Sequence, residues 1–239
     1  METIILALAI TLVVVTIASI ANPKLRAAVY TLPIPITIVL IGTGGNVNTT
    51  HLTGLMDVII FFSVIWFLSE KLKLHIVWSI CSSILIYIFL GIMFKKLIEV
   101  PFMFSYVTMA VVWLIYIFRL QLRVDKSQYR QLVQKTTYKD HIARAGVVFS
   151  LASIIITIKS LLLGATVTFP YTGTFTAYVM RNQLPVLIAE ICRNFFAIMT
   201  FFLVVWYLQP KIGLLSAIAI GWIVNISVLY MIVRYLPRR

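Results

Sequence analysis

The sequence predicts an all-α integral membrane protein, and three observations support this prediction. Of the 239 residues, 62% are hydrophobic and 11% are charged, whereas soluble domains average about half apolar residues and a quarter charged ones. The mean hydropathy is +1.04. Long apolar runs recur along the chain, and a bilayer core takes about 20 helical residues to cross. A water-soluble fold is excluded, and so is any sizeable soluble domain.

Nine apolar runs, bounded by charges or turn residues, are the candidate spans. They cover 3–21, 27–42, 52–68, 74–94, 101–118, 145–163, 165–180, 186–208 and 212–233. The second and seventh runs are short and contain prolines, which a membrane helix tolerates only where neighbours or water satisfy the freed carbonyl groups. Each of these two runs is therefore either a span or a re-entrant segment.

The distribution of positive charge favours nine crossings. With the N-terminus outside, nine spans place 15 of the 20 Lys and Arg residues in cytoplasmic loops, as the positive-inside rule requires. With both proline runs re-entrant, the better orientation places only 10 of them inside. The charges thus predict a multi-pass protein of the cytoplasmic (inner) membrane, with its C-terminus in the cytoplasm. Because the charge of +13 reports membrane sidedness, we expect no nucleic-acid partner.

An internal repeat relates the two ends of the chain. The segment Phe61–Leu72 returns in the second half as Phe201–Ile212, with half of its positions identical. The segment Thr31–Thr37 returns as Thr168–Thr174, with both threonines and a proline retained. Two matches in the same order within equivalent spans indicate a duplication.

The repeat predicts how the chain is organised. Residues 1–94 form a first four-helix repeat, residues 95–144 a linker helix with a basic cytoplasmic loop, and residues 145–239 a second four-helix repeat. Because the linker helix is a single span, the second repeat runs through the bilayer in the opposite direction. Such inverted repeats are common in secondary transporters, where sites form near the midplane from interrupted helices.

Residues 161–233 also carry a family resemblance. A Phe169-Pro170 segment ends in an aromatic residue, Arg193 follows a polar turn, and an aromatic-rich span ending at 206–208 precedes a last span with Trp222. This pattern resembles the small GlpM-like inner-membrane proteins. The first half departs from it, with Leu32-Pro33 in place of Phe-Pro and Thr53 where Arg193 would align. The resemblance implies a polytopic membrane protein and no settled chemistry.

The two proline segments are the predicted substrate-binding site. Its residues are Thr31, Pro33 and Thr37 in the first segment and Thr168, Pro170 and Thr174 in the second. A proline frees the carbonyl group four residues before it, and freed carbonyls beside threonine hydroxyls are ligands for a substrate or cation. We expect the four threonines to converge in one water-accessible cavity; the alternative is a pair of proline kinks satisfied by neighbouring helices.

Ionisable residues within spans are candidates for gating or coupling, because placing one at the bilayer centre costs at least about 2.5 kcal/mol. Asp57 and Glu190 lie about one turn from opposite ends of their predicted spans, and inversion places them at comparable depths. Arg193 is three residues after Glu190, a spacing that allows a salt bridge. The alternative is two hydrated acids near the interfaces. Asn225, in the last span, is expected to make an interhelical hydrogen bond.

The motifs that are missing narrow the function. The sequence has no phosphate-binding glycine loop, no paired histidines at metal spacing, no nucleophile elbow and no acidic cluster, so we expect no enzyme, catalytic residue, metal or cofactor. We predict a small secondary transporter or flippase-like permease for a small-molecule or lipid substrate. The alternative is a non-transporting scaffold subunit of an envelope lipid or polysaccharide pathway. The basic loop 119–144 is predicted to lie on anionic lipid headgroups or to dock a protein partner.

Overall fold

The computed structural model describes residues 2–18, 29, 32–94, 99–119, 138–162, 164–179, 181 and 184–235. Every regular element in these ranges is helical. The prediction of an all-α fold is therefore confirmed.

Along the chain, the helices form two groups that are separated by a single helix. The first group is α1 (Glu2–Ala18), α2 (Ile34–Thr43), α3 (Thr49–Trp66) and α4 (Ile76–Phe94), followed by the central α5 (Phe102–Arg119). The second group is α6 (Tyr138–Thr157), α7 (Lys159–Leu162), α8 (Gly164–Thr168), α9 (Tyr171–Val179), α10 (Leu184–Ile212) and α11 (Leu214–Tyr235).

Four helical stretches in the described ranges are long and apolar enough to cross a membrane. They are Thr49–Lys71, Ile76–Phe94, Leu184–Ile212 and Leu214–Tyr235, and they correspond to four of the predicted spans. Three other predicted spans, 3–21, 101–118 and 145–163, correspond to the shorter apolar helices Ile4–Ile17, Phe102–Ile115 and Val148–Thr157. The chain is thus an α-helical protein suited to a membrane.

The two proline runs are not continuous helices. In the first run, predicted as 27–42, α2 begins only after Pro33. The second run, predicted as 165–180, divides at Phe169-Pro170 into α8 and α9. The interruption in 165–180 falls at Pro170, which lacks the N–H that would continue the helix and whose ring clashes with the preceding turn.

The basic connection after α5 is shorter than the hydropathy pattern indicates. α6 begins at Tyr138, so the last part of the predicted loop 119–144 is helical. The amphipathic, lipid-binding segment predicted for this loop falls mainly on 120–137, which lie outside the described residues.

Near the N-terminus of α3, a capping box starts the helix three residues earlier than predicted. The Asn48 side chain accepts a hydrogen bond from the N–H of Thr50 at 3.1 Å, and Nδ1 of His51 accepts one from the N–H of Asn48 at 3.1 Å. These bonds satisfy N–H groups that a helix start leaves without partners. Asp57 consequently lies about two turns inside α3, deeper than the sequence predicts.

The packing of the helices pairs the two groups. α3 packs against α4, α10 packs against α11, and α3 also packs against α10. α1 packs against α6, while the central α5 contacts both α3 and α10. α9 contacts α4, and α2 contacts α11. Each of these contacts has a counterpart when the two groups are exchanged, whereas the packing of α1 against α9 has no equally extensive counterpart between α6 and α2.

Equivalent aromatic residues fill the interior of both groups. Phe61 and Phe62 of α3 have fully buried side chains, as do Phe201 and Phe202 of α10. Within each pair the ring centroids are 5.2 Å and 5.6 Å apart, respectively. The repeated sequence motif is therefore a core motif in both halves.

The ends of this motif interrupt regular helix geometry in two different ways. After α3, residues Phe67–Lys71 form a π-helical turn in which the N–H of Leu72 bonds the carbonyl of Phe67 at 3.2 Å. At the equivalent place α10 contains Pro210, which cannot donate to the carbonyl four residues earlier. Both long helices thus lose regular hydrogen bonding at matching positions.

Four connections meet at one end of the molecule. The Gln209 side chain, before the α10–α11 turn, donates to Asn46 Oδ1 at 2.7 Å and accepts from the N–H of Val47 at 3.2 Å. The Thr49 hydroxyl donates to the carbonyl of Val100 at 2.7 Å, which joins the start of α3 to the turn before α5. The first N–H of α8, at Gly164, donates to the Thr50 hydroxyl at 2.9 Å. The connections before α3, α5, α8 and α11 therefore lie on the same side.

Candidate functional site

The two proline segments have the same backbone hydrogen bonds. In the first, the N–H of Ile34 donates to the Leu32 carbonyl and that of Thr37 to the Pro33 carbonyl, both at 2.8 Å; in the second, Tyr171 donates to Phe169 and Thr174 to Pro170, again both at 2.8 Å. The bonded residues are equivalent in the alignment of the two segments. A tight turn followed by a proline-initiated helix thus occurs twice.

The carbonyl groups around the second proline are bonded by tyrosine hydroxyls. The Thr166 carbonyl, which Pro170 cannot bond, accepts the Tyr171 hydroxyl at 3.0 Å. The neighbouring Ala165 carbonyl accepts the Tyr87 hydroxyl from α4 at 2.8 Å. In this conformation the break therefore presents no free carbonyl at these two positions.

The predicted threonines have different surroundings. The Thr168 hydroxyl lies 3.1 Å from the Tyr87 hydroxyl. The Thr174 hydroxyl donates to the Pro170 carbonyl at 2.7 Å, and the Thr37 hydroxyl accepts from Trp222 Nε1 at 2.9 Å. Thr31 lies outside the described residues.

A cavity of about 60 Å³ lies between the two proline segments and the helices α3 and α10. Pairs of equivalent positions line it. In the proline segments these are Leu32 with Phe169 and Pro35 with Thr172, which the alignment of those segments pairs. On the long helices they are Leu55 with Phe195 and Val58 with Ile198, which have the same offset as the repeated phenylalanine motif. The cavity thus lies where the two halves meet.

The cavity has an apolar lining and little space. Thr168, Tyr171 and Thr172 supply its polar side chains, and none of the described residues that line it is charged. A water molecule needs at least about 10–15 Å³ by this measure, so a few water-sized groups fit, whereas ligand pockets usually exceed about 300 Å³. A larger ligand would require the proline segments to move. Of the predicted site residues, Thr168 and Pro170 line the cavity.

Glycines bring α8 unusually close to α3. A Cβ atom at Gly54 would overlap Thr168 Oγ1, and one at Gly164 would overlap the backbone of Thr50 and His51. On each of the two helices, the contact is made by a pair of small residues that lie four positions apart. The pair is Thr50 and Gly54 on α3, and Gly164 and Thr168 on α8. Small residues at this spacing let membrane helices approach closely, and this pattern could have been recognised in the sequence.

Asp57 is buried beside this contact. The residue is 0% exposed, and neither carboxyl oxygen has a hydrogen-bond partner in the part of the chain that the structure describes. Asp57 lies one turn from Gly54 and one turn from Phe61, on the same face of α3. The Phe61 ring is 6.4 Å from the Tyr87 ring, and Tyr87 contacts Thr168. Asp57 therefore lies on the face of α3 that also carries Gly54, the residue in contact with Thr168.

Glu190 and Arg193 form the salt bridge that their spacing predicts. Arg193 Nη2 lies 3.3 Å from Glu190 Oε2, and the two side chains are 2% and 8% exposed, respectively. Trp113 of α5 donates its indole N–H to the Cys192 carbonyl at 3.0 Å, next to Arg193. The second buried acid thus has a cationic partner on its own helix.

The prediction for Asn225 was wrong. Its side chain is fully buried, but neither side-chain polar atom has a hydrogen-bond partner among the residues that the structure describes. The expected interhelical bond to α11 is made instead by Trp222, one turn earlier, which donates to Thr37 of α2.

Within the described ranges, no group of three or more His, Cys, Asp or Glu side chains is placed to hold a metal ion. Comparisons of the chain with family models, curated proteins and solved structures gave no match.

Proposed function

We propose that this chain is a small secondary transporter or flippase-like permease of the cytoplasmic membrane, with its substrate site between two inverted four-helix repeats. The observation that carries this proposal is the cavity lined by equivalent positions of both halves. Transporters with inverted repeats bind substrate in this way, near the midplane and beside interrupted helices. The substrate is a small molecule or a lipid, and the chain acts without a cofactor and is not an enzyme.

Three features of the fold support the two repeats. The proline segments share their hydrogen-bond pattern, the buried phenylalanine pairs recur, and the contacts α3–α4, α3–α5 and α2–α11 have the counterparts α10–α11, α10–α5 and α9–α4. On this proposal each half corresponds to one GlpM-like unit, and α5 is the linker helix between them.

The connections that meet at one end support nine crossings. With both proline runs re-entrant, the connection before α3 and the turn after α10 would lie on opposite sides of the membrane. In the structure, Gln209 at the end of α10 bonds Asn46 and Val47 in the connection before α3, so these two connections lie on the same side. Nine crossings place both connections outside, with the N-terminus outside and the C-terminus in the cytoplasm.

On this proposal, the proline segments bind the substrate when they open. Movement of Tyr171 and Tyr87 would free the carbonyls of Thr166 and Ala165, and the threonine hydroxyls at 31, 37, 168 and 174 would add polar ligands. Pro170 keeps the Thr166 carbonyl from being taken up by a regular helix, and Pro33 does the same for the Val29 carbonyl in the first segment.

The ionisable groups and the basic loop have further proposed roles. Asp57 and the Glu190–Arg193 pair are proposed to gate or couple the movement, one in each half. The loop 119–144 is proposed to hold the cytoplasmic side on anionic headgroups.

One observation favours the scaffold alternative. The four buried phenylalanines fill much of the centre, and the remaining cavity is only about 60 Å³. A non-transporting subunit needs no path through its centre, and it would use the basic loop as a surface for a protein partner.

Thiol labelling of the cavity distinguishes the two functions. Leu55→Cys and Phe195→Cys, equivalent lining positions, are made on a background with Cys81 and Cys192 replaced, and a small membrane-impermeant thiol reagent is applied from each side of proteoliposomes. The matched control keeps the native Cys192, which is 2% exposed, does not line the cavity and lies one turn before Phe195.

Transport predicts that both cavity cysteines react from at least one side while Cys192 stays protected. If both remain as unreactive as Cys192, the transport proposal is wrong and a search for protein partners follows.

A further inference from the structure

Asp57 differs from the other buried acid in having no counter-ion among the described residues. Glu190 is 3.3 Å from Arg193, whereas both oxygens of Asp57 are without a hydrogen bond in the described ranges. An ionised carboxylate in an apolar interior, with neither a hydrogen bond nor a counter-ion, is among the most costly arrangements in a protein. Asp57 is compatible with this packing as a neutral acid.

The ionisable groups described on the elements that pack against α3 leave Asp57 without a cation. They are Cys81 and Tyr87 on α4, Tyr106 on α5 up to residue 115, where its described side chains end, Glu190, Cys192, Arg193, Tyr207 and Lys211 on α10, and none on α8; His51, Glu70 and Lys71 lie on α3 and its π-helical turn. Tyr87 is bonded to Ala165 and Thr168. Arg193 is paired with Glu190. Lys71 lies at the end of the π-helical turn that follows α3, and the exposed Lys211 lies beyond Gln209, which bonds the connection before α3.

The position of Asp57 links it to the break and, through Thr168, to the cavity. Gly54, one turn before Asp57, lies against Thr168 so closely that a Cβ atom would overlap its hydroxyl. Thr168 also lines the cavity. Asp57 therefore lies one helical turn from a residue that contacts the lining of the cavity.

We propose that Asp57 binds a proton, and that this proton is the coupling ion of the transport proposed above, on which the coupling rests. A proton from hydronium adds to one carboxylate oxygen, which gives the neutral acid and leaves water; transfer of the proton back to water restores the anion and hydronium. The neutral acid fits the closed packing. The anion requires water or another hydrogen-bond donor, which the closed packing does not supply among the described residues, so the break must move before a donor reaches it.

A proton suits this position better than a metal cation. A hard metal cation needs several oxygen ligands, whereas no group of three or more acidic, His or Cys side chains lies together in the described ranges. The carbonyls of Ala165 and Thr166 already accept tyrosine hydroxyls. A proton needs only the one carboxyl group.

Infrared difference spectroscopy tests the assignment directly. The full chain is reconstituted in lipid nanodiscs in choline chloride, and spectra are recorded from acidic to alkaline pH. The C=O stretch of a protonated carboxyl group is separate from the amide bands. We expect such a band in the unmodified chain at acidic pH, and we expect it to disappear at alkaline pH. Asp57→Asn keeps the shape of the neutral acid and should have no such band at any pH.

The matched control is Glu70→Gln, which removes a carboxyl group from the π-helical turn at the end of the same membrane-crossing stretch; it should retain the band. Asp57→Glu provides a second check, because it should retain a band at a shifted frequency. The proposal is overturned if the unmodified chain has no band, or if the band persists in Asp57→Asn. Loss of the band when sodium replaces choline at constant pH would instead identify a sodium site.

The two proposals fail in different ways. If the band is present but the cysteines at positions 55 and 195 stay unreactive, Asp57 binds a proton in a protein whose cavity has no aqueous path to either side of the membrane. If the cysteines react but the band is missing, the path exists and Asp57 does not couple protons to it.

Discussion

Individual small residues set how closely the helices of this protein approach one another. Gly54 and Gly164 lie where α3 and α8 meet, and each leaves no space for a Cβ atom. The sequence singled out Thr168 for its hydroxyl, but its position over Gly54 also makes it a packing residue. Repeat analysis found the polar and proline positions, while Leu55 and Phe195 were missed because an apolar residue in an apolar run carries no signal of its own.

Alanine at either glycine should destabilise the fold. We expect Gly54→Ala and Gly164→Ala each to cost about 1–3 kcal/mol through overpacking, measured as a lower thermal unfolding temperature in detergent. Gly146→Ala is the matched control, because Gly146 is a helical glycine with no atom within 4 Å of its would-be Cβ. Alanine there should be neutral or slightly stabilising. Equal unfolding temperatures for all three variants would contradict the close contact.

The buried salt bridge gives a second prediction at this scale. Glu190→Gln removes one partner and leaves Arg193, which is 2% exposed, without its carboxylate. Breaking a buried pair from one side costs about 3–5 kcal/mol, so thermal unfolding should occur at a markedly lower temperature. The double variant Glu190→Gln with Arg193→Met should recover much of this loss, and Glu99→Gln, at an exposed acid, should have little effect. No recovery in the double variant would contradict the pairing.

At the scale of elements, the broken helix is the feature that hydropathy described least well. The run 165–180 is apolar enough to be read as one span, and Pro170 indicated an irregularity without fixing its form. The bonding partner of the freed carbonyl could not be predicted, because Tyr171 reaches Thr166 only once the chain has turned. The helix starts depend on similarly local contacts, such as the one between Asn48 and His51.

Tyr171→Phe should destabilise the break more strongly when Pro170 is present than when it is replaced by alanine. The variant leaves the buried Thr166 carbonyl without a donor, at a cost of about 1–3 kcal/mol. Pro170→Ala restores a backbone N–H that can reach this carbonyl. A double-mutant cycle, followed by thermal unfolding, should therefore show a smaller cost of Tyr171→Phe in the Pro170→Ala background. Strict additivity would mean that the tyrosine hydroxyl does not replace the missing helix bond.

For the whole molecule, composition and periodicity were sufficient for the fold class and for the positions of most helices. The all-α fold follows from apolar runs too long and too frequent for a soluble protein. The mutual placement of the two halves could not be read from hydropathy, because it depends on which faces of α3 and α10 meet. The two repeat matches nevertheless pair positions that line the cavity. The two residues of each such pair are separated along the chain by the same number of residues as one of the two matches.

The sidedness of the turns is a prediction about the whole chain. Cysteines at Asn46 and Lys211, both exposed, should react with an impermeant thiol reagent added outside intact cells, because nine crossings place both connections outside. A cysteine at Lys73, in the exposed turn between α3 and α4, should react only after permeabilisation. Labelling of Asn46→Cys and Lys211→Cys from different sides would contradict the proposed topology and the contact made by Gln209.

The π-helical turn at Phe67–Lys71 and Pro210 in α10 have a mechanical consequence. A helix bends most easily where its hydrogen-bond ladder is interrupted, so each long helix has a hinge near one end. In the proposed topology the hinge of α3 lies at the cytoplasmic face and that of α10 at the outer face. Each half can then bend its own end while the centre stays packed, and the molecule has one flexing point for each side of the membrane.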